Sequence, residues 1–207
     1  MRRTKEDAEQ TRRAILASAM DIFYEKGYSK TTFDEIAKRI NLTKGAVYWY
    51  FRNKPDIVAA LINDFAAQYL VEIKNFMEQH SPDSFEGITE MLLFNSRKIR
   101  EDALFYKFLF FVSCQMEWSD AIINKIQPAI EQTKKATRAL FYDSLSEMQK
   151  NKTIRSDVDI DMICEIIMTM YGGMQEAHLT KRLTHDFDDL VRTGLTLIFN
   201  NIKAEGQ

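Results

Sequence analysis

Apolar residues recur at helical spacing along the chain, and no segment alternates apolar and polar residues in the manner of a half-buried strand. Only 7 glycines and 3 prolines occur among the 207 residues, so residues that interrupt a helix are scarce. The pattern predicts an all-α protein of about nine helices separated by short polar breaks. The predicted helices span residues 7–26, 33–40, 44–51, 54–79, 84–101, 103–117, 121–150, 158–180 and 185–203. Pro128 favours a start near residue 127, or a kink, in the seventh of them.

The length and the N-terminal end of the chain restrict its class. A chain of 207 residues fits one or two domains with a large core. No stretch of about 18 apolar residues occurs, so we expect no membrane span. The opening residues MRRTKEDAEQTRR are charged and lack the apolar stretch and cleavage site of a secretory signal. Cys114 and Cys164 lie within apolar runs, so we expect buried thiols in a reducing cytoplasm.

Charge is unevenly distributed along the chain. Residues 1–56 contain 12 Lys or Arg and 8 Asp or Glu, whereas residues 57–207 contain 16 and 22. The excess of positive charge in the N-terminal part favours a polyanionic partner for that part. An imbalance of this size also falls within ordinary scatter, so charge alone leaves both interpretations open.

Two short helices joined by a tight turn are predicted within residues 32–51. Thr32 is followed three residues later by Glu35, which is the spacing of a capping box, and Thr43 is a suitable N-cap for the second helix. A packing helix followed by two such helices is a helix-turn-helix. In that motif the second helix enters the major groove of DNA and presents its N-terminal residues to the bases.

The second of these helices has one apolar face and one outward face. Val47 and Phe51 are four residues apart and are expected to face the core. Gly45 and Trp49 then point away from the core, because successive residues are rotated by about 100°. Lys44 brings a positive charge to the first turn. The exposed aromatic run therefore suits the wall of a DNA groove, and packing against another protein helix is the alternative.

The segment from Thr11 to Ile62 resembles the DNA-binding domain of the TetR family of bacterial regulators. The family pattern combines F-x-x-x-G, then T-T-x-x-x-I-A, then K/R-G-x-hydrophobic-Y-x-H/Y-F, then a lysine. The matching residues are Phe23 and Gly27, Thr31-Thr32 with Ile36-Ala37, Lys44-Gly45-Ala46-Val47-Tyr48-Trp49-Tyr50-Phe51, and Lys54. Tyr50 stands at the position where the family more often has His, so it is the less common of the two residues in the pattern.

The resemblance implies an arrangement of domains and a set of DNA contacts. A DNA-binding domain would occupy residues 1–56, with the helix-turn-helix at 32–51, and a helical ligand-binding and dimerisation domain would occupy 57–207. The implied DNA-contacting residues are Thr32, Thr43, Lys44, Gly45, Ala46, Tyr48, Trp49, Tyr50 and Lys54. The three that begin the second helix would lie nearest the base edges, and the others would contact phosphates, sugars or thymine methyl groups. An arm in the minor groove or a solvated tail would be formed by Arg2, Arg3 and Lys5.

The second part of the chain resembles the AcrR-type repressors of drug-efflux genes, in which a small molecule binds in the helical domain. Large aromatic rings and flexible methionines can line such a cavity, and a few polar side chains orient the ligand. The candidates are Phe94, Phe105, Phe108, Phe111, Gln115, Glu117, Trp118, Phe141, Met168, Tyr171 and Gln175. Packing in an ordinary core is the alternative for each of them. Glu117 adds the option of a cationic ligand, since a carboxylate can pair with a positive charge.

The last two predicted helices are expected to form the face of a homodimer. A glycine inside a helix costs about 1 kcal/mol relative to alanine, and close approach of another helix would explain Gly172 and Gly173. Bending of the helix is the alternative. The predicted interface residues are Gly172, Gly173, Leu190, Leu195, Ile198 and Ile202. A dimer implies a near-palindromic DNA site.

Other classes of function fit the sequence less well. The three histidines, His80, His178 and His185, form no H-x-x-x-H motif, and no C-x-x-C motif, phosphate-binding loop or nucleophile elbow occurs. We therefore expect no enzymatic activity, no metal and no cofactor. The sequence predicts a ligand-responsive repressor, with control of an efflux gene as an extension. An activator or a ligand-independent regulator of the same fold, and a helical protein-binding adaptor, are the alternatives.

Overall fold

The computed structural model describes residues 4–79 and 83–204 of the chain. Over these residues it contains nine α-helices, one π-helical turn and no β-strand, which confirms the predicted all-α fold. The helices are α1 (Lys5–Lys26), α2 (Phe33–Arg39), α3 (Lys44–Tyr50), α4 (Lys54–Gln79), α5 (Phe85–Glu101), α6 (Ala103–Phe110), α7 (Asp120–Lys150), α8 (Ile160–Leu179) and α9 (Phe187–Ile202). Arg2 and Arg3 of the predicted arm, and His80, lie outside the described residues.

Most helix ends lie within about two residues of the prediction, but two points differ. The sequence predicts an α-helix to residue 117, but α6 ends at Phe110 and a π-helical turn, Phe111–Gln115, follows it. π-Helical turns are rare in proteins, and many of those that do occur lie at functional sites. The seventh helix begins at Asp120 and continues through Pro128, so a start near residue 127 is wrong.

The chain divides into two compact units, which we call the head unit and the body unit. The head unit consists of Met1–Ala67 and Ala103–Ile130, and the body unit consists of Gln68–Asp102 and Glu131–Gln207. The long helices α4 and α7 each contribute residues to both units. The predicted functional division at residue 56 remains a proposal.

The head unit is built around α1. Ile15, Ala19 and Phe23 lie on one stripe of this helix and are fully buried. Gly27 ends the helix with a φ of 84°, a conformation that glycine adopts without steric penalty. Phe111 of the π-helical turn stacks on Phe23 with ring centroids 5.0 Å apart. Burial of a side chain of this size contributes about 1.5–3 kcal/mol, so the π-helical turn belongs to the core that holds the head unit together.

Helices α5, α8 and α9 pack together in the body unit. Phe85 of α5 stacks on Phe199 of α9 with ring centroids 4.4 Å apart. Gly194 allows α9 to approach α8 closely, because a Cβ atom at this position would lie 2.7 Å from the sulfur of Met170. The next residue, Leu195, is fully buried. The inner faces of α8 and α9 are therefore occupied by the body unit's own core.

Candidate nucleic-acid interface

The helix-turn-helix begins with a reciprocal cap at the start of α2. The Glu35 backbone N–H donates to Thr32 Oγ1 at 3.3 Å, and the Thr32 backbone N–H donates to Glu35 Oε2 at 3.0 Å. This geometry confirms the predicted capping box. The Thr32 hydroxyl also donates to the Glu35 carboxylate at 2.7 Å. Its proton is therefore already used within the protein, and the implied donation from Thr32 to a DNA phosphate stays a prediction.

The turn between α2 and α3 places a residue in the left-handed region. Asn41 has a φ of 56°, which asparagine tolerates better than most residues because its short polar side chain bonds locally. The Leu42 backbone N–H then donates to the Ala37 carbonyl at 2.8 Å and closes the turn. Thr43 caps the next helix, because its Oγ1 accepts from the Ala46 N–H at 3.1 Å. The hydroxyl proton of Thr43 is not used in this bond and remains available for donation.

The orientation of α3 agrees with the face predicted from its spacing. Val47 is fully buried and Phe51 is 5% exposed, so both hold the helix against the head unit's core. On the opposite side Trp49 is 74% exposed and Tyr48 is 49% exposed, while Gly45 is also exposed. Aromatic rings of this size are seldom left in water without a partner, so the outward face of α3 is a candidate contact surface.

The exposed aromatic rings are held in position by their neighbours. The Tyr48 ring packs on Phe33 of α2 with centroids 4.7 Å apart, and the Lys44 ammonium lies 5.7 Å from the centre of the Tyr48 ring. Trp49 meets Tyr50 edge to face at 4.6 Å. These contacts reduce the rotamer entropy that the rings lose when they meet a partner.

Tyr50 occupies a different environment from Tyr48 and Trp49. It is half-buried and packs against the core, and its hydroxyl is buried without a hydrogen-bond partner among the described residues. A contact between this hydroxyl and a phosphate requires the side chain to turn outward. The implied DNA contact of Tyr50 therefore stays a prediction, with a geometry less favourable than that of its neighbours.

Unpaired positive charge lies beside α3, whereas most of the basic residues near α2 are in ion pairs. Lys44 and Arg52 are exposed and make no ion pair among the described residues. Three basic residues of α1 and α2 are already paired, Lys26 with Glu35, Lys38 with Asp34 and Arg39 with Glu25, whereas Lys30 ahead of α2 is exposed and makes no ion pair among the described residues. A polyanion approaching α3 would therefore meet unpaired cations next to its exposed rings.

Lys54, an implied phosphate contact, has internal partners. Its ammonium donates to the backbone carbonyl of Tyr28 at 2.7 Å and to that of Ser29 at 3.1 Å. It also lies 4.4 Å from the centre of the Tyr28 ring. Burial lowers the pKa of this amine from its ordinary value. The side chain thus ties the loop after α1 to the start of α4, a role that the sequence pattern does not reveal.

Six predicted ligand residues belong to the head unit, and the three phenylalanines among them are buried. These six are Phe105, Phe108, Phe111, Gln115, Glu117 and Trp118. Phe108 is 9% exposed and stacks on Phe65 with ring centroids 3.9 Å apart, while Phe111 is 1% exposed and stacks on Phe23. Both belong to the apolar cluster that also contains Val47 of α3. Their geometry is that of core residues, which is the alternative that the sequence left open.

The two polar members of this group are fastened to the end of α1 and its loop. The Gln115 side-chain amide donates to the Tyr24 carbonyl at 3.2 Å, and the Glu117 carboxylate accepts a hydrogen bond from the Ser29 hydroxyl. The loop at Ser29 is therefore held by Lys54 through its carbonyl and by Glu117 through its side chain. The predicted pairing of Glu117 with a cationic ligand would have to replace this contact.

The other five ligand candidates lie in the body unit. They are Phe94, Phe141, Met168, Tyr171 and Gln175. Phe141 and Tyr171 are buried at 1% and 6% exposure, whereas Phe94 faces a surface cavity of about 490 Å³ and packs on Phe76 at 5.0 Å. The cavity is lined by Glu72, Asn75, Phe76, Gln79, Phe94, Arg97, Lys98, Glu101 and Asp102. The eleven predicted residues thus fall into two groups, and neither unit brings them all together.

The predicted dimer residues need a correction. Leu195 and Ile202 are 0% and 5% exposed and belong to the body unit's own core, so they do not present a free surface. Leu190 and Ile198 are half-buried. Gly172 and Gly173 are exposed, and a Cβ atom at either position would meet no atom within 4 Å. The sequence pattern indicates that α9 is apolar but does not distinguish its inner face from its outer face.

The two cysteines lie in different environments. Cys114 is exposed, so its predicted burial is wrong, whereas Cys164 is buried and burial raises its pKa to about 11. Among residues 4–79 and 83–204, no three His, Cys, Asp or Glu side chains lie close enough to hold a metal ion. In the same described part of the chain, no helix has the length and apolar character needed to cross a membrane.

The helix-turn-helix segment is similar to a known family. Residues 15–61 match the model described as "Bacterial regulatory proteins, tetR family". The HTH-type transcriptional regulator TtgR of Pseudomonas putida is 44% identical over 63 residues, which are 30% of this chain and 30% of TtgR. The chain therefore matches less than a third of the length of this relative.

Two further comparisons extend over most of the chain. The probable acrEF/envCD operon repressor of Escherichia coli (strain K12) is 24% identical over 190 residues, covering 89% of this chain and 83% of that repressor. The crystal structure of NalD, the secondary repressor of the MexAB-OprM multidrug efflux pump in Pseudomonas aeruginosa, has a TM-score of 0.79 at 21% identity. That match covers 98% of this chain and 100% of NalD, and at this identity it shows a shared fold.

Proposed function

Because this chain is an AcrR-like regulator of the TetR family, we propose that it is a ligand-responsive repressor whose α3 binds the major groove of operator DNA. Proteins of this family are transcriptional regulators rather than enzymes. The observation that carries the proposal is the outward face of α3. Its aromatic rings are exposed and positioned, while the opposite side of the same helix is buried by Val47.

The DNA contacts follow from the chemistry of this face. Gly45 and Ala46 are small and allow the helix backbone to approach the base edges. Tyr48 and Trp49 offer a hydroxyl, an indole N–H and ring faces to phosphates, sugars and thymine methyl groups. Lys44 is exposed and supplies positive charge for phosphates. Base contacts then set sequence preference, and the phosphate contacts set most of the salt dependence.

A homodimer is part of the proposal, and the exposed face of α8 supports it. Met162 and Ile166 are 59% and 45% exposed, and Gly173 continues the same stripe with open space around it. On α9 the exposed apolar residue is Leu197, at 62%. Two copies joined through these faces would place two α3 helices on successive turns of DNA, about 34–36 Å apart or a multiple of that distance. The operator is then a near-palindrome.

An efflux gene is the proposed target, and a small apolar molecule is the proposed effector. The support comes from two relatives, since one is a probable operon repressor of acrEF/envCD and NalD is a repressor of a multidrug efflux pump. The effector acts only if it binds the DNA-incompetent state more tightly than the competent state. A tenfold loss of operator affinity requires about 1.4 kcal/mol of such preference, and operator DNA must weaken effector binding by the same factor.

The test of DNA binding uses the chain's two tryptophans as a matched pair. Sheared genomic DNA is incubated with the purified protein, the retained fragments are sequenced, and affinity for a selected fragment is measured by fluorescence anisotropy at several salt concentrations. Trp49→Ala is expected to weaken binding about tenfold or more, because Trp49 lies on the outward face of α3. Trp118→Ala, at a residue that is 48% exposed elsewhere in the head unit, is expected to leave affinity unchanged.

Three results would contradict the proposal. The first is a folded Trp49→Ala variant with undiminished DNA affinity, and the second is equal losses for both tryptophan variants. The third is the retention of no preferred fragments by the wild-type protein. Binding that is weakened by salt but prefers no sequence would reduce the proposal to general DNA affinity.

A further inference from the structure

Three polar side chains from different helices converge inside the body unit. Tyr69 of α4, Asn95 of α5 and Tyr171 of α8 form what we call the Tyr–Asn–Tyr cluster. The Asn95 side-chain amide donates to the Tyr69 hydroxyl oxygen at 3.2 Å. Asn95 also lies beside the Tyr171 hydroxyl, but outside hydrogen-bond geometry.

Two atoms of the cluster are buried without a hydrogen-bond partner. Among the described residues, neither the Oδ1 atom of Asn95 nor the hydroxyl of Tyr171 makes a hydrogen bond. Tyr171 is only 6% exposed, so its hydroxyl does not recover this bond from bulk solvent. Native proteins keep few such atoms, because each loses its bond to water without replacement. An acceptor, Asn95 Oδ1, and a group that can donate or accept, the Tyr171 hydroxyl, are therefore both buried without a partner in the same part of the body unit.

The cluster carries no charge of its own. Burial raises the pKa of both Tyr69 and Tyr171, so both phenols stay protonated. The nearby carboxylate of Asp188 already accepts from the Ser96 hydroxyl and pairs with Arg100 at 3.0 Å. A charged group placed at the cluster would lose its hydration without gaining a free counterion. The site therefore favours an uncharged polar group.

The surroundings of the cluster are apolar and adaptable. Met168 and Met174 lie three residues on either side of Tyr171 on α8, so they share its face of the helix, and both are half-buried. Phe187 packs edge to face on Tyr171 with centroids 5.8 Å apart. Unbranched thioether side chains adjust to ligands of different shape more readily than branched residues.

We propose that the Tyr–Asn–Tyr cluster anchors an uncharged, largely apolar molecule through a single hydroxyl group. That hydroxyl donates to Asn95 Oδ1 and accepts from the Tyr171 hydroxyl, while the apolar part of the molecule packs against the neighbouring methionines. The role of the cluster as an effector site rests on the proposed function, in which a small molecule releases the protein from DNA. It adds the chemical class of the effector and the two side chains that select it.

The test compares two probes of nearly equal size, 2-naphthol and 2-methylnaphthalene, which differ by a hydroxyl in place of a methyl group. Equilibrium dialysis against the full-length protein gives the Kd of each probe without any DNA. Tyr171→Phe and Asn95→Leu are each expected to weaken 2-naphthol binding about five- to tenfold and to leave 2-methylnaphthalene within about twofold. Tyr142→Phe, which removes a hydroxyl from a residue that is 40% exposed on α7, is the control and is expected to change neither.

Three outcomes overturn the inference. These are equal changes for both probes, an unchanged Kd for 2-naphthol in Tyr171→Phe, and no binding of 2-naphthol by the wild type up to its solubility limit. Circular dichroism melting shows whether each variant is folded, and Tyr171→Phe removes a single oxygen atom if Asn95→Leu does not fold. Absence of operator binding would refute the proposed function while leaving this result intact. Hydroxyl-selective binding that does not release the operator would confine the cluster to a non-regulatory site and overturn the effector role.

Discussion

Helix α3 of the head unit has seven residues and buries only Val47, whereas α9 of the body unit has 16 residues and buries five. The short helix depends on its ends, where Thr43 caps the first turn and Phe51 anchors the last. The long helix depends on an apolar stripe that packs into the body unit's core. A helix held by its ends leaves most side chains free for a partner. A helix held by a stripe uses most of its apolar residues for its own fold.

The largest expected effect separates the two faces of α9. Leu195 is fully buried and Leu197 is 62% exposed, because residues two apart on a helix point about 200° apart. Leu195→Arg places an unpaired charge in the body unit's core and is expected to cost about 3–5 kcal/mol, with a collapse of the helical circular dichroism signal. Leu197→Arg is expected to keep that signal and to convert the proposed dimer to monomer in sedimentation.

Two results would refute this division of α9. Leu197→Arg could unfold the protein as completely as Leu195→Arg, which would mean that the exposed face is structural. Alternatively it could remain a dimer at every concentration, which would place the interface elsewhere. The assignment of Leu195 to the dimer interface would regain support only if Leu195→Arg stayed folded and monomeric.

The second prediction concerns the predicted ligand residue Phe111. Because its ring stacks on Phe23 at 5.0 Å in the head unit's core, Phe111→Ala is expected to destabilise that unit by about 3–5 kcal/mol. Ser113→Ala, at an exposed residue of the same π-helical turn, is expected to change stability by less than about 0.5 kcal/mol. Both tryptophans of the chain lie in the head unit, so urea unfolding followed by tryptophan fluorescence reports on it.

A different outcome would restore Phe111 to the effector site. In that case Phe111→Ala would have the same urea midpoint of unfolding as the wild type and would bind operator normally, but it would no longer respond to effector. The structure predicts instead that DNA affinity falls together with the stability of the head unit. Measurement of both properties on the same preparation distinguishes the two cases.

The helix-turn-helix could be predicted almost residue by residue. Its caps at Thr32 and Thr43 and the inward positions of Val47 and Phe51 follow from local spacing, since caps and short helices involve residues within four positions of one another. The internal bonds of Lys54 could not be predicted in this way. Its carbonyl partners lie 25 and 26 residues earlier in the chain, and their position depends on how α1 and α4 pack.

The body unit shows where periodicity ceases to be informative. The helices were predictable, but α9 has apolar residues on both its inner and outer faces, and spacing alone does not say which face meets the core. The role of Gly194 in the close approach of α8 could not be predicted, because it depends on Met170 in another helix. The pairing of Tyr69 with Asn95 likewise joins residues from separate helices, so no short motif indicates it.

The third prediction compares two lysines of the head unit that the family resemblance places at the DNA, Lys44 near the base edges and Lys54 on a phosphate. Lys44→Met is expected to reduce the slope of log affinity against log salt by about one and to leave stability unchanged, because Lys44 is exposed and unpaired with any described acidic residue. Lys54→Met is expected to lower the stability of the head unit by about 1–2 kcal/mol, because two backbone carbonyls lose a charged donor.

Anisotropy titrations at several salt concentrations and urea unfolding measure these two effects separately. If Lys54→Met reduced the salt slope by about one with no loss of stability, its ammonium would be a phosphate contact and its bonds in the free protein would be dispensable. If Lys44→Met left the salt slope unchanged, the charge beside α3 would not reach the DNA backbone.

The smallest expected effect is a dependence of the head unit's stability on acid pH. Glu35 has a pKa lowered from 4.5 to about 2, first by its hydrogen bond with Lys26 and then by that with Thr32. A carboxylate with a depressed pKa in the folded state stabilises that state above pH 4.5, and this contribution disappears as the pH falls towards about 2. The wild-type urea midpoint, followed by tryptophan fluorescence, should therefore fall across this range.

Glu35→Gln should begin with a lower midpoint at neutral pH and show a shallower fall. Parallel curves for the two proteins would mean that other carboxylates govern the acid response, and that the link between α1 and α2 does not depend on the charge of Glu35.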